Sequence, residues 1–425
     1  MGTDDWGKGV RPRLNPLKTP PIALYPDPHG TIFSGSAVID KNNTAGFGKN
    51  AMIAIFTYYN DSLKVAGYQN NQTQGIAFSL DEGKTWEKYN GNPVIDNSCE
   101  KDFRDPKVFW NDEINAWNMV LAAGDRIKIF SSPNLIDWKF KSDFEPVDDL
   151  PGLGVWECPD LFKMKVDDEE KWLMIVSHGD KAPNGGSGTR YFVGNFNGEV
   201  FKHEQPSLWL DYGTDSYAGV TYANAPDGKR ILIAWMSNWM YATVTPTKVW
   251  RSAMTLPREL SLQKDGNKYF LRQKIAGEFA SIKQEVKKID QVELPLIEDK
   301  IDLSQAGIHF DCNGEDLSIT ISNELDETLQ IDMKNNQLFV DRTRSGKMDF
   351  SDKFAPRIQT MPLGEKVYNF QIYLDRSSCE ILLNDGKYAM TNLFFPNEKY
   401  SNLQISGSAN AELKNFKIGK ISRIW

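Results

Sequence analysis

The chain has 425 residues, 40% hydrophobic and 25% charged, which is too apolar for a disordered chain and long enough for two or three domains. Acidic residues outnumber basic ones 57 to 49, for a net charge of −8, so the basic footprint of a nucleic-acid binder is missing. No apolar run nears the roughly 18 residues of a membrane helix. The four cysteines form no CxxC pair and the four histidines are scattered, so neither a disulfide scaffold nor a metal or other cofactor is expected. Twelve Trp, 15 Tyr and 23 Phe make 12% of the chain, a level suited to β-rich folds and sugar-binding pockets.

Met1 to Leu17 contains no apolar h-region of a signal peptide. From about residue 20 to 265 the chain reads as short strands between turns. Ala51–Tyr59, Val108–Ala122, Lys171–Ser177 and Arg230–Trp235 are β-branched and aromatic runs bounded by Gly, Pro, Asn and Asp. Phe78-Ser79 precedes Trp86 in the same way that Phe130-Ser131 precedes Trp138, and the two copies lie 52 residues apart. Four-stranded propeller blades repeat at about 40–50 residues, so the period predicts a β-propeller. Phe279, Ile282 and Val286 then fall at i, i+3 and i+7 among Lys and Glu, which predicts a linker helix over 271–290. Beyond residue 291 the alternation is cleaner. Leu329, Ile331 and Met333 are followed by Asn335-Asn336 and then Leu338 and Val340; Phe370, Ile372 and Leu374 are followed by Cys379, Ile381, Leu383 and Asn384-Asp385-Gly386. One buried and one wet face per strand predicts a β-sandwich. The expected division is therefore a propeller over 1–270, a linker over 271–290 and a sandwich over 291–425.

The residues fit for chemistry are carboxylates in aromatic surroundings: Phe103-Arg104-Asp105-Pro106, Trp156-Glu157-Cys158-Pro159-Asp160, and Asp211 to Tyr217 with Asp215 between them. Glycoside hydrolysis needs one protonated and one ionised carboxyl group across the scissile bond. Glu157, flanked by a Trp and a thiol, sits in a sequence context that would raise a carboxyl pKa, and Arg104 beside Asp105 would keep that aspartate ionised. Taken singly, an Arg-Asp pair is most often a structural ion pair and a Trp-Glu most often a strand edge. Propellers, however, gather loops of successive blades at one mouth, and the two clusters are one repeat apart.

Together these two clusters resemble glycoside hydrolase family 32, the levanases, inulinases and invertases. Further segments are similar to that family in the same order: Ala23 to Asp27 with Ile32-Phe33-Ser34-Gly35-Ser36-Ala37, Gly185 to Phe192, Trp250 to Leu260, and Asp375-Arg376 with Glu380 and Asn384-Asp385-Gly386. The resemblance covers about residue 20 to the end. It implies an all-β fold, a five-bladed β-propeller followed by a β-sandwich, and retaining hydrolysis of β-fructosides such as levan, inulin or sucrose. By the same resemblance Glu157 is the general acid/base and Asp105 the transition-state stabiliser. Arg104 charge-pairs and orients Asp105, Phe33 and Ser34 line the fructose pocket, and Asp215, Tyr217 and Trp235 belong to that pocket too. Neither nucleic acid nor membrane insertion is expected, and the family points to a secreted or periplasmic parent protein. Members open with a Trp-Met-Asn-Asp-Pro-Asn-Gly segment whose Asp is the nucleophile. No such segment precedes Pro21, and Asp4 and Asp5 lack the motif around them. The first blade is therefore expected to be incomplete and the chain catalytically poor, with a fructan-binding pseudoenzyme as the alternative. A protein-binding scaffold propeller has no need of Arg104-Asp105 and Glu157 together.

Overall fold

The computed structural model describes residues 21–146, 149–150 and 152–423. Met1–Lys18, with Asp4 and Asp5, lies outside them. The chain divides into two compact units. The first runs to residue 180 and resumes over 190–208; the second holds 181–189 and everything from 209.

The first unit is built from antiparallel meanders in which spatial order equals chain order. Strands β1 (Thr31–Asp40), β2 (Ala51–Tyr59), β3 (Gln72–Ser79) and β4 (Glu87–Lys88) form one sheet. Strands β5 (Phe103–Asn111), β6 (Ala116–Ala123), β7 (Arg126–Ser132) and β8 (Lys139–Phe144) form the next, and β9 (Trp156–Val166), β10 (Glu169–His178), β11 (Gly188–Phe196) and β12 (Phe201–His203) the third. The first strands, β1, β5 and β9, pack side by side, as in a propeller. Buried Ile53, Ile55, Ile76, Met119 and Leu121 join the first two blades, and Val120, Ile127, Leu161, Met174 and Phe192 the second and third.

The repeat visible in the sequence is a hairpin of this architecture. Phe78-Ser79 ends β3 and Phe130-Ser131 lies near the end of β7. In each following turn the Trp indole donates back to the turn, Trp86 to Gly83 O at 3.1 Å and Trp138 to Leu135 O at 2.9 Å.

A second repeat was not legible beforehand. Each first strand breaks register with its neighbour near its start: between Ile32 and Gly35, between Arg104 and Lys107, and between Glu157 and Asp160. Asp105 and Cys158 take left-handed φ of 64° and 49° there. Pro106 and Pro159 have no N–H to give to the ladder, so pairing yields at those points and a bulge forms. Gly35 serves the same end in β1, where a Cβ would stand 2.0 Å from Ile55 O.

In the second unit Tyr217–Tyr222, Ile231–Met236, Arg258–Asp265 and Lys268–Ile275 form a further blade-like sheet, with the same break between Tyr217 and Val220. Two six-stranded sheets follow and share one core that includes Phe310, Ile319, Ile331, Phe370, Ile381 and Phe416. The alternating residues of the sequence supply that core, and Asn335 and Asn336 turn between strands with φ of 52° and 56°. Four propeller-type sheets are thus present among the described residues; the fifth implied by the resemblance is not among them.

The expected helix over 271–290 is not formed. Strand Lys268–Ile275 leads through a 3-10 turn at Gly277–Ile282 into strand Lys283–Glu293, which pairs with Glu412–Ile421. Val286, placed by helical spacing on an apolar face, is exposed. The ladder offered by a strand more than a hundred residues away overrides a marginal three-residue apolar pattern.

Candidate active site

The bulges of β5 and β9 bring the two carboxylate clusters together. Arg104 donates from Nε and Nη2 to Glu157 Oε1 at 3.2 and 3.0 Å, and from Nη1 to Asp102 Oδ1 at 2.6 Å. Asp105, 7% exposed, accepts the Cys158 N–H on Oδ2 at 2.9 Å, with the Cys158 thiol 3.6 Å from the same oxygen. The Glu157 side chain remains 20% accessible. A buried carboxylate, a reachable carboxylate and a guanidinium therefore meet where two adjacent first strands bend.

Two electrostatic expectations are corrected. Arg104 does not charge-pair Asp105 directly; its hydrogen bonds go to Asp102 and Glu157. Burial pushes the Asp105 carboxyl above the usual aspartate range, although the Cys158 amide and the Arg104 charge draw it down. Nor does Trp156 form an apolar wall beside Glu157. Neighbours in a strand point to opposite faces, and Trp156 packs inward against Phe144, meets His178 edge-on at 4.9 Å and lies under the Arg190 guanidinium at 5.3 Å. Burial opposes the Arg104 charge, but Asp102 and Glu157 together outweigh it and leave the guanidinium above its ordinary value. Burial, then the charges of Asp105 and Glu157, push the Cys158 thiol well up, which disfavours the thiolate.

Phe33 and Ser34 sit at the bulge of β1, both exposed, with Phe33 stacked on Tyr59 at 4.5 Å. They share the level of the β5 bulge, because Ser36 of β1 donates to Pro106 O at 2.9 Å and accepts the Val108 N–H at 3.1 Å.

The remaining expected pocket residues lie in the second unit. Tyr217 is buried and pairs in register with Trp235; their rings are 6.1 Å apart and Trp239 stands 4.9 Å from Trp235. Asp215 has no free surface. It is fully buried and accepts from Arg342 at 2.8 Å, the Tyr241 hydroxyl at 2.7 Å, the Leu393 N–H at 2.9 Å and the Thr214 hydroxyl at 2.9 Å. Its acceptor capacity is spent inside the unit, which corrects its placement in a sugar pocket. Arg258, from the Trp250 to Leu260 segment, is similarly buried between Asp211 at 3.0 Å and Glu380 at 2.7 Å. Gly186, from the Gly185 to Phe192 segment, has φ of 67° and presses on Asn238, where a Cβ would come within 2.1 Å. These motif residues serve packing.

Asp102, Thr57 and Gln74 are parts of the site that the sequence reading missed. Asp102 stands two residues before Arg104, a spacing that could have drawn attention; Thr57 and Gln74 carry no local signal. Among the described residues no group of His, Cys, Asp and Glu is arranged to hold a metal ion.

The family model for the N-terminal domain of glycosyl hydrolases family 32 matches residues 1–274, and that for the family 32 C-terminal region matches residues 269–420. The match thus extends into the first twenty residues, where the resemblance read from motifs stopped. The chain is 40% identical over 450 residues to a levanase of Bacillus subtilis (strain 168), an alignment covering all of this chain and 65% of that protein. It is 32% identical over 474 residues to an extracellular exo-inulinase of Aspergillus niger, covering all of this chain and 88% of the relative. The crystal structure of exo-inulinase from Aspergillus awamori superposes with a TM-score of 0.81 at 30% identity, over 93% of this chain and 84% of that one. That of fructofuranosidase from Schwanniomyces occidentalis complexed with fructose gives 0.81 at 30% identity, over 95% and 86%. The chain therefore spans just under two thirds of the levanase's length. The expected inactivity and the pseudoenzyme alternative rest on residues outside those described, and relatives named for hydrolysis lend them no support. Two family models that together run from residue 1 to 420, over an all-β chain that pairs Arg104, Asp105 and Glu157 at one bend, place this protein in glycoside hydrolase family 32.

Proposed function

We propose that the protein hydrolyses β-fructosides, with levan and inulin as polymeric substrates in keeping with the names of its relatives, and sucrose as a small one by the family resemblance. Glu157 acts as general acid on the glycosidic oxygen and then as general base on the attacking water. The observation that carries this reading is its accessible carboxylate, held by Arg104 beside buried Asp105. Asp105 meets the fructosyl hydroxyls and stabilises the oxocarbenium-like transition state, and Phe33 and Ser34 line the pocket. Retention requires a nucleophilic carboxylate about 5–5.5 Å from the acid; that part is assigned to none of the described residues. Chemistry is assigned to the propeller sheets and stability to the sandwich. A secreted parent protein fits the extracellular relatives.

The test is fructose release from levan, inulin and sucrose by the purified chain and by Glu157→Gln. Loss of a general acid/base lowers the rate by about 10²–10⁴-fold. A Glu157→Gln protein as active as its parent, or a parent chain that releases no fructose from any of the three, overturns the reading.

A further inference from the structure

The β5 bulge that carries Asp105 has lost its ladder partners between Arg104 and Lys107, yet its backbone groups are not orphaned. Three side chains of the preceding blade take the Asp105 N–H and Pro106 O within the gap and the flanking Phe103 O and Val108 N–H. Gln74 Nε2 donates to Phe103 O at 2.9 Å, Thr57 Oγ1 accepts the Asp105 N–H at 3.1 Å, and Ser36 donates to Pro106 O while accepting the Val108 N–H. The Thr57 hydroxyl donates in turn to Gln74 Oε1 at 2.7 Å. Both Thr57 and Gln74 are fully buried and face each other across the β2–β3 pair.

The polarity of this relay has one solution. Because the Gln74 amide nitrogen is committed to a carbonyl, its oxygen must accept; the Thr57 proton therefore points to Gln74, and a Thr57 lone pair is left for the Asp105 amide. A non-glycine residue held at left-handed φ is strained and persists only where its surroundings over-determine it. Here the surroundings are this clamp on one side and the Cys158 N–H on the other.

We propose that Thr57 and Gln74, assisted by Ser36, are positioning residues that hold Asp105 at its strained backbone angle and so aim its carboxylate at the substrate. The proposal rests on the functional reading of Asp105 given above. The clamp touches no substrate; it acts through the Asp105 backbone alone.

The test pairs kinetics with hydrogen exchange on the full chain. Thr57→Val keeps the shape and removes the hydroxyl, Thr57→Ser restores it, and Gln74→Met removes the outer member of the relay should Thr57→Val fail to fold. A misplacement of this kind lowers kcat by about 10–10²-fold. KM for inulin should change by less than about threefold, the pattern of a contact made in the transition state. Thr57→Ser should recover most of the loss. Exchange of the Asp105 amide, followed in peptides spanning Phe103 to Asn111, should rise by at least about tenfold in Thr57→Val. Unchanged exchange, or Thr57→Ser as slow as Thr57→Val, overturns the clamp. A parent chain without fructanase activity removes the functional reading instead, and the exchange arm then decides the clamp alone.

Discussion

Asp215→Asn separates a pocket role from a structural one. The Asp215 carboxylate is fully buried and receives four hydrogen bonds, one of them from the Arg342 guanidinium, itself 1% exposed. Arg342 also reaches Thr214 Oγ1 at 2.7 Å, the Tyr241 hydroxyl at 3.1 Å and Leu393 O at 2.6 Å, so the pair sits in a fully buried network. An asparagine there removes the negative charge facing Arg342 and turns one acceptor into a donor among donors. Breaking a buried ion pair from one side costs about 3–5 kcal/mol, since the other charge stays buried. For a unit of roughly two hundred residues each kcal/mol moves Tm by about 2–4 °C, so a fall of about 6–20 °C is expected. Thermal unfolding followed by circular dichroism measures it, with fructose release assayed well below the transition. A variant that melts with the parent protein and yet has lost hydrolysis would refute this reasoning and return Asp215 to the pocket.

Asp105→Asn should abolish hydrolysis while raising Tm at pH 7 above that of the parent. The sign follows from burial: with the folded pKa raised, this group favours folding fully only below its unfolded pKa of about 3.9 and loses that contribution as pH rises through the folded value. Unfolding curves at pH 7 and pH 4 should therefore differ between the two proteins at the higher pH and converge at the lower; a lower Tm for the variant at pH 7 contradicts this. Of the four thiols, exposed Cys99 should react fastest with a thiol reagent at pH 8 in the native protein, half-buried Cys158 far more slowly, and buried Cys312 and Cys379 only after unfolding. Labelling of Cys158 as fast as that of Cys99 would show that its thiol is not raised as its half-buried, anionic surroundings require. Arg258→Met leaves Asp211 and Glu380 as unpaired buried carboxylates, and a loss of about 3–5 kcal/mol in urea unfolding is expected; an unchanged midpoint would show that water reaches both.

Much of the candidate site was legible because its residues come in short motifs that keep their local shape. Arg104-Asp105-Pro106 and Trp156-Glu157-Cys158-Pro159 resemble segments of family 32, and the 52-residue hairpin repeat implied that they fall at matching places. The alternation of Leu329, Ile331 and Met333 likewise dictated which face enters the sandwich core, because side-chain direction in a strand follows from backbone geometry alone.

Partners chosen across long stretches of chain were decided only in three dimensions. Arg104 lies beside Asp105 in sequence but bonds to Glu157, 53 residues on, because the bulge turns the two side chains apart. Asp215 lies among pocket-like aromatics in sequence, yet Arg342, 127 residues later, takes it into the interior. Phe279, Ile282 and Val286 carry a faint helical spacing, yet residues 283–293 become a strand because the ladder of 412–421 is open to them. Thr57 and Gln74 look like ordinary strand residues until the next blade presents a bulge whose backbone needs them. Local sequence determines φ, ψ and the face of each side chain; hydrogen bonds and ion pairs formed across the fold have no local signature, and their energies settle which groups become site and which become scaffold.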